Sequence, residues 1–190
     1  MRTRDIFLVL IACGLFSTGV VAQDVDITRH PGYIDLEKIR IPENAESVTD
    51  IDLGPALLRL AAWAQEEYDV DENLTKSLSG LLSVRVKSFD IGHRETGGMR
   101  DLMEKLEKRL QKEKWENLVR VRGEDEIVNI SLKMVRNKIV GFFMMSMDEG
   151  DQVAFANIVG GNIDLDSIRG LGMGLGEAGL DSLWQDLDGF

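Results

Sequence analysis

Four short runs between Leu118 and Val159 restrict what this chain can fold into more than any other feature: NLVRVRGED, EIVNISLKMV, KIVGFFMMSMD and QVAFANIV. In the first, Val119 and Val121 alternate with Arg120 and Arg122. In the second, Val128, Ile130, Leu132 and Met134 alternate with Asn129, Ser131 and Lys133. Period-two alternation gives a strand one buried and one wet face. The third run, Ile139 to Met147, is apolar on both faces, which predicts a central strand with helices on one side and further cover on the other. Between the runs, Arg136-Asn137-Lys138 supplies an asparagine that tolerates the positive φ of a tight hairpin, and Asp148-Glu149-Gly150-Asp151 makes the next turn. The pattern predicts a four-stranded antiparallel meander.

Upstream, residues 23–46 hold Pro31-Gly32 and Pro42 among scattered charges and read as an extended lead-in. Ser47 to Leu53 alternates and predicts a first strand. Gly54-Pro55 then opens a helix, with proline where its missing N–H costs nothing, and Leu57, Leu60, Ala61, Ala64 and Tyr68 mark its apolar face. Asp71 caps a second short helix through Leu78, stopped by Gly80. Leu82 to Ile91 predicts a strand with Val84 and Val86 inward and Arg85 and Lys87 outward. Met99, Leu102, Met103, Leu106 and Leu110 fall three and four apart on the clearest helix, with Asp101–Lys105 and Glu104–Lys108 as i,i+4 pairs on its wet side. Trp115 follows as a lid on the core. The expected fold is therefore α+β: a four-stranded antiparallel meander plus one or two N-terminal strands, packed with two to three helices on one face. Residues 47–169 form its single domain.

The two ends differ from this middle. Arg2 and Arg4 precede an almost unbroken apolar or small stretch from Ile6 to Val21, closed by Val20-Val21-Ala22. That is the pattern of a secretory signal peptide over residues 1–22, too short and wrongly flanked to span a membrane, so no span is expected after its removal. Leu10-Ile11-Ala12-Cys13 also resembles a lipobox, which would make Cys13 a lipid anchor, although the apolar run continues well past it. Cleavage after Ala22 would remove the one cysteine and leave no disulfide and no thiol chemistry. At the other end, glycine at every second position of GLGMGLGEAGL predicts a flexible linker. Beyond it, Leu180, Leu183, Trp184 and Leu187 fall at i, i+3, i+4 and i+7, a short apolar stripe opposed by Asp181, Asp186 and Asp188. Residues 170–190 are thus a linker and an acidic amphipathic tail suited to docking on a partner.

Charge excludes one class of function. The chain carries a net -11 at pH 7, which repels phosphate backbones, so no nucleic-acid partner is expected. Its distribution is uneven. Residues 76–140 hold 15 basic and 10 acidic groups, while the flanking segments are strongly acidic. The basic middle suits an acidic partner or, equally, a solvated surface.

The stretch from Ser47 to Ile168 resembles a bacterial exported family known as the domain of unknown function numbered 4252. The likeness rests on the run from Glu116 to Ile168, on the helix ahead of it, on the acidic-glycine turn DEGD and on the ending VGGNIDL, relaxed here by Gly160-Gly161. The resemblance implies an α+β protein of the bacterial envelope or periplasm, with no assigned activity and no functional residues to carry over.

Other motifs lack the context their chemistry needs. Gly174, Gly176 and Gly179 match G-x-G-x-x-G but follow no strand and open no βαβ unit. Asp69, Asp71 and Asn73 begin like a calcium loop, yet Leu74 and Gly80 stand where the turn glycine and the bidentate glutamate belong. Asp148, Glu149 and Asp151 are explained by their turn. His30 and His93 sit in no ligand pair, and a dyad built on either needs a partner brought by the fold. Met99, Met103, Met144, Met145 and Met147 suit core packing better than soft-metal binding. No catalytic, cofactor-binding or metal-binding residue is assigned, and no cofactor is expected.

The sequence thus points to a non-catalytic exported cell-envelope protein acting through contacts with an unidentified envelope protein, with Leu180, Leu183, Trp184 and Leu187 as the candidate partner-binding residues. The alternative is a periplasmic small-ligand module using the sheet face around Phe142, Met144 and Ala156. A hydrolase-type enzyme is a distant third.

Overall fold

The apolar run from Ile139 to Met147 lies near the middle of a sheet, as its composition requires. A computed structural model of the chain describes residues 26–60, 80–92, 95–123 and 126–164. Among the described residues, six strands form one antiparallel sheet: β1 (Glu46–Leu53), β2 (Leu81–Asp90), β3 (Glu116–Arg122), β4 (Ile127–Val135), β5 (Lys138–Met147) and β6 (Gln152–Gly160). Their spatial order is β1-β2-β6-β5-β4-β3, so β1 and β3 are the edges. One helix, α1 (Thr96–Lys112), joins β2 to β3, and residues 55–60 are helical after β1. The protein is mostly β with some helix.

Both faces of the sheet are buried, by different means. On one, Val84 and Val86 of β2, Ala154, Ala156 and Ile158 of β6, Phe142 and Met144 of β5, and Val128 and Ile130 of β4 pack with Leu58 and Ile163. On the other, the helix face, Phe89, Phe155, Phe143, Met145 and Met147 pack against Met99, Met103 and Leu110 of α1 and against Ile34, Leu36 and Ile39. Each fully buried Phe contributes about 1.5–3 kcal/mol by leaving water.

Several expectations are corrected here. The sheet is a single six-stranded one, in which β1 and β2 continue from β6, because β2 bonds along its whole length to β6. The helices do not share a face: Leu58 packs on one side and α1 on the other. In the first helix, Leu58 is buried in the cluster that holds Val84 and Val86, while Leu57 and Leu60 are exposed. The second short helix expected near Asp71, with the calcium-like loop, lies outside the described residues.

Arg85 and Lys87 do not face water. They are 7% and 6% exposed, because the supposed lead-in lies across the helix face. Its two 3-10 turns, Ile27–Arg29 and Leu36–Lys38, are capped by Asp26 and Asp35. Between them the chain passes so close to β5 that a Cβ on Gly141 would lie 2.5 Å from Gly32 Cα and 2.8 Å from the Trp115 ring. Asn157 of β6 latches the crossing. Its Nδ2 donates to the carbonyls of Gly32 (3.0 Å) and Phe142 (3.1 Å), and its Oδ1 accepts from the Ile34 N–H (2.8 Å). Arg85 then donates to Tyr33 Oη (2.7 Å) and pairs with Asp52 (2.9 Å) and Glu37 (3.2 Å), while Lys87 reaches Asp50 (3.3 Å) and the Leu36 carbonyl (3.3 Å).

Turn chemistry closes the frame. Arg136 and Asn137 both have positive φ (49° and 64°), as a two-residue hairpin with type I′ geometry requires. Asp148 Oδ1 accepts from the Gly150 and Gln152 N–H groups, so this carboxylate serves the β5–β6 turn. Lys114, at φ 62°, ends α1 with bonds from its own N–H to Gln111 O and from Trp115 N–H to Leu110 O, the paired closure of a helix C-terminus. That swing seats Trp115 edge-on to Phe143, 6.5 Å between rings, so it does lid the core.

The Gly32–Gly141 contact leaves no room for a methyl group. Gly141→Ala is expected to cost about 1–3 kcal/mol, as overpacking does. Urea unfolding monitored by Trp fluorescence measures it, and Gly92→Ala, where a Cβ meets nothing within 4 Å, is the control.

Candidate functional site: a cleft between the helix and the outer strand

At the far end of the helix face from Arg85, a cleft of about 200 Å³ opens between α1 and β3. The period of α1 places Met99, Met103, Glu107 and Leu110 on its inward side. Met103 and Leu110 reach the core, whereas Glu107 faces the side of β3 that carries arginines. Arg120 and Arg122, two apart and so on one face of β3, each pair with a different oxygen of the Glu107 carboxylate. Glu107 is buried, at 6% side-chain exposure, whereas the two arginines are 45% and 55% exposed. A buried charge is tolerable only when paired in this way.

Below this triad lies a polar chain built by alternation. Asn117 of β3 stands opposite Ser131 of β4, and Asn129 sits two residues along from Ser131 on the same face. With its amide oxygen toward Arg120 (Nε at 3.3 Å), Asn117 donates from Nδ2 to Ser131 Oγ at 2.8 Å. Ser131 Oγ donates in turn to Asn129 Oδ1 at 2.8 Å. The chain therefore consumes the Asn129 oxygen and leaves its Nδ2 without an acceptor, the one such buried side-chain polar atom among the described residues. Asn129 is 2% exposed and lines the cleft. An orphaned buried donor costs about 1–3 kcal/mol. Met103, Met145, Ile127 and Val128 supply apolar wall, and Arg100 and Glu104 stand on the α1 rim. Arg100 Nη1 lies 3.5 Å from the Gly123 carbonyl, which links the helix to the end of β3.

Apart from Met103 and Met145 in the cleft wall, the residues singled out from sequence lie elsewhere. Phe142, Met144 and Ala156, taken as an open sheet face, are 3%, 2% and 5% exposed in the opposite core. Of the five methionines, Met144 is on that face and the other four are on the helix face, all buried as packing. His30 Nδ1 accepts from the Gly32 N–H at 3.2 Å, a turn contact in the crossing segment. Cys13, His93, the G-x-G-x-x-G match and Leu180, Leu183, Trp184 and Leu187 lie outside the described residues. Among those described, no group of three His, Cys, Asp or Glu residues is placed to hold a metal ion, and no helix is long and apolar enough to cross a membrane. The cleft itself went unseen, since Glu107 reads as wet-side polarity. The available signal was three short polar residues, Asn117, Asn129 and Ser131, on one face of adjacent strands.

A family model, Domain of unknown function (DUF4252), matches residues 43–171, well over half of the chain. The chain belongs to this family. The DUF4252 match takes in all six strands, α1 and the cleft, and begins just after the Gly32–Gly141 crossing. No curated protein and no solved structure matches the chain.

The Glu107 triad is asymmetric. Replacing both arginines (Arg120→Ala with Arg122→Ala) strands a buried carboxylate and is expected to cost about 3 kcal/mol, the low end for an uncompensated buried charge. Glu107→Gln leaves two half-exposed arginines that keep their water, and is expected to cost about 1 kcal/mol. Denaturant midpoints at pH 7 would show the order; equal losses would contradict it.

His30 gives a pH dependence. Partial burial lowers its pKa below the usual 6.5. Between the lowered value and 6.5 the unfolded chain binds more protons than the folded one. Its contribution is therefore complete above pH 6.5 and is lost as pH falls below that value. Protease cleavage within residues 26–45 is expected to quicken from pH 7.5 to 5.5, and His30→Ala to flatten that dependence.

Proposed function

We infer that this is an exported, non-catalytic cell-envelope protein that acts through protein contacts. The observation that carries this is on strand β3. A bulge between Asn117 and Val119 turns Leu118 out of the sheet, and Leu118 and Val121 stand 53% and 39% exposed on what is, among the described residues, an edge strand. An edge strand offers a row of backbone donors and acceptors, and apolar side chains beside it add the area that a docking partner buries. The excess of basic residues over 76–140 favours an acidic partner. Export rests on the sequence of residues 1–22: a basic lead, an apolar run and small residues before Gln23, with Cys13 as the alternative processing point. The tail stripe of Leu180, Leu183, Trp184 and Leu187 on its glycine linker is a further contact element.

In-cell cross-linking followed by mass spectrometry tests the reading. Leu118→Asp combined with Val121→Asp is expected to cut partner cross-links at least tenfold with an unchanged thermal midpoint. Deletion of residues 170–190 separates the tail's share. If every cross-link survives both changes, contact through β3 and the tail is excluded. The α1–β3 cleft favours a second reading, small-ligand binding on the helix face rather than on the face of Phe142.

A further inference from the structure

From the α1–β3 cleft we propose a second capability, independent of any partner at the edge: it binds a carboxylate carried on a short apolar body. Three properties converge on that chemistry. The first is an unused donor. The Asn117–Ser131–Asn129 chain fixes the direction of the Asn129 amide, so that its Nδ2 asks for an oxygen acceptor from the cleft side. The second is charge. Among the described residues, the cleft carries Arg100, Arg120 and Arg122 against Glu104 and Glu107, an excess of one positive charge. Glu107 engages one nitrogen of each β3 guanidinium, and each guanidinium has five N–H donors, more than one shared carboxylate can fill. A monoanion is therefore welcome, whereas a dianion meets two resident glutamates. The third is the wall: Met103, Met145 and Ile127 suit a few methylene groups, and the methionines adapt to their shape.

The volume sets the size. About 200 Å³ falls below the range of drug-sized sites, so the occupant is a small acid or the terminal residue of a peptide. Both present the same group: an oxygen on Asn129 Nδ2, the negative charge shared with the arginines, and the hydrocarbon against Met103 and Met145.

The test is titration of the ¹⁵N-labelled protein, following the Asn129 side-chain amide and the Gly123 backbone amide at fixed ionic strength. Sodium butyrate is expected to give saturable shifts at both. Butyramide, of the same size but uncharged, and inorganic phosphate are expected to bind at least tenfold more weakly. Asn129→Leu, which keeps the volume and removes the donor, is expected to weaken butyrate at least tenfold, and the rim substitution Arg100→Gln about threefold. A peptide with a free C-terminus and its amidated form identify the source. Tighter binding of the free-ended peptide than of butyrate assigns the site to a chain terminus, and the reverse to a small acid; either supports a carboxylate site. Equal binding of butyrate and butyramide, saturation by phosphate without butyrate, or an unchanged Asn129→Leu affinity would overturn it. None of these outcomes bears on the cross-links at β3, so the two ideas stand or fall apart.

Discussion

The helix face depends on a single backbone-on-backbone contact, where the chain at Gly32 rests on β5 at Gly141. Two glycines make the approach possible, and the Asn157 side chain holds it with three hydrogen bonds that satisfy groups on both sides. With that crossing in place, Ile34, Leu36 and Ile39 reach Phe89 and Phe155, and Tyr33 and Glu37 reach Arg85. Without it, two basic side chains and much of the aromatic layer would face water. This buried amide, with both N–H groups and its oxygen engaged, is worth more here than its three bonds, because it selects one path for about twenty residues of otherwise irregular chain.

The two charged clusters on this face are mirror cases. Around β2 the cations are buried and the acids, Asp50, Asp52 and Glu37, are more than half exposed. Around β3 the acid is buried and its cations are at the surface. Each cluster neutralises its own interior charge, but they present opposite signs to solvent. The β1–β2 end of the helix face is rimmed by carboxylates and the β3 end by guanidiniums.

Strands and turns were legible because their determinants are local. The double-sided apolarity of Ile139 to Met147, the proline after Gly54 and the asparagine at 137 each declare their role within a few residues. What was illegible depends on what covers a face. Val-Arg-Val-Lys in β2 alternates as any half-wet strand does, and nothing local says that residues 26–45 will lie over Arg85 and Lys87. Glu107 likewise reads as solvent polarity until Arg120 and Arg122 arrive from another element. Leu58 was missed because three leucines in four positions, at 57, 58 and 60, leave the buried side of a short helix open until the strand before it sets the angle. The cleft was hidden for the same reason: its parts lie on four separate elements.

The Gly32–Gly141 crossing also bears on how the sheet finds its alignment. In β5, Val140 to Met147 are buried on both sides, so a slip by one residue would exchange apolar for apolar and meet little hydrophobic penalty. A slipped strand would bring Val140 or Phe142 beneath the crossing chain, where only a glycine leaves space, and would carry the Phe142 carbonyl away from Asn157. Misaligned pairings are thus rejected by volume and by an unmet hydrogen bond rather than by hydrophobicity. The irregular segment packed on this strand acts as the gauge that proofreads it.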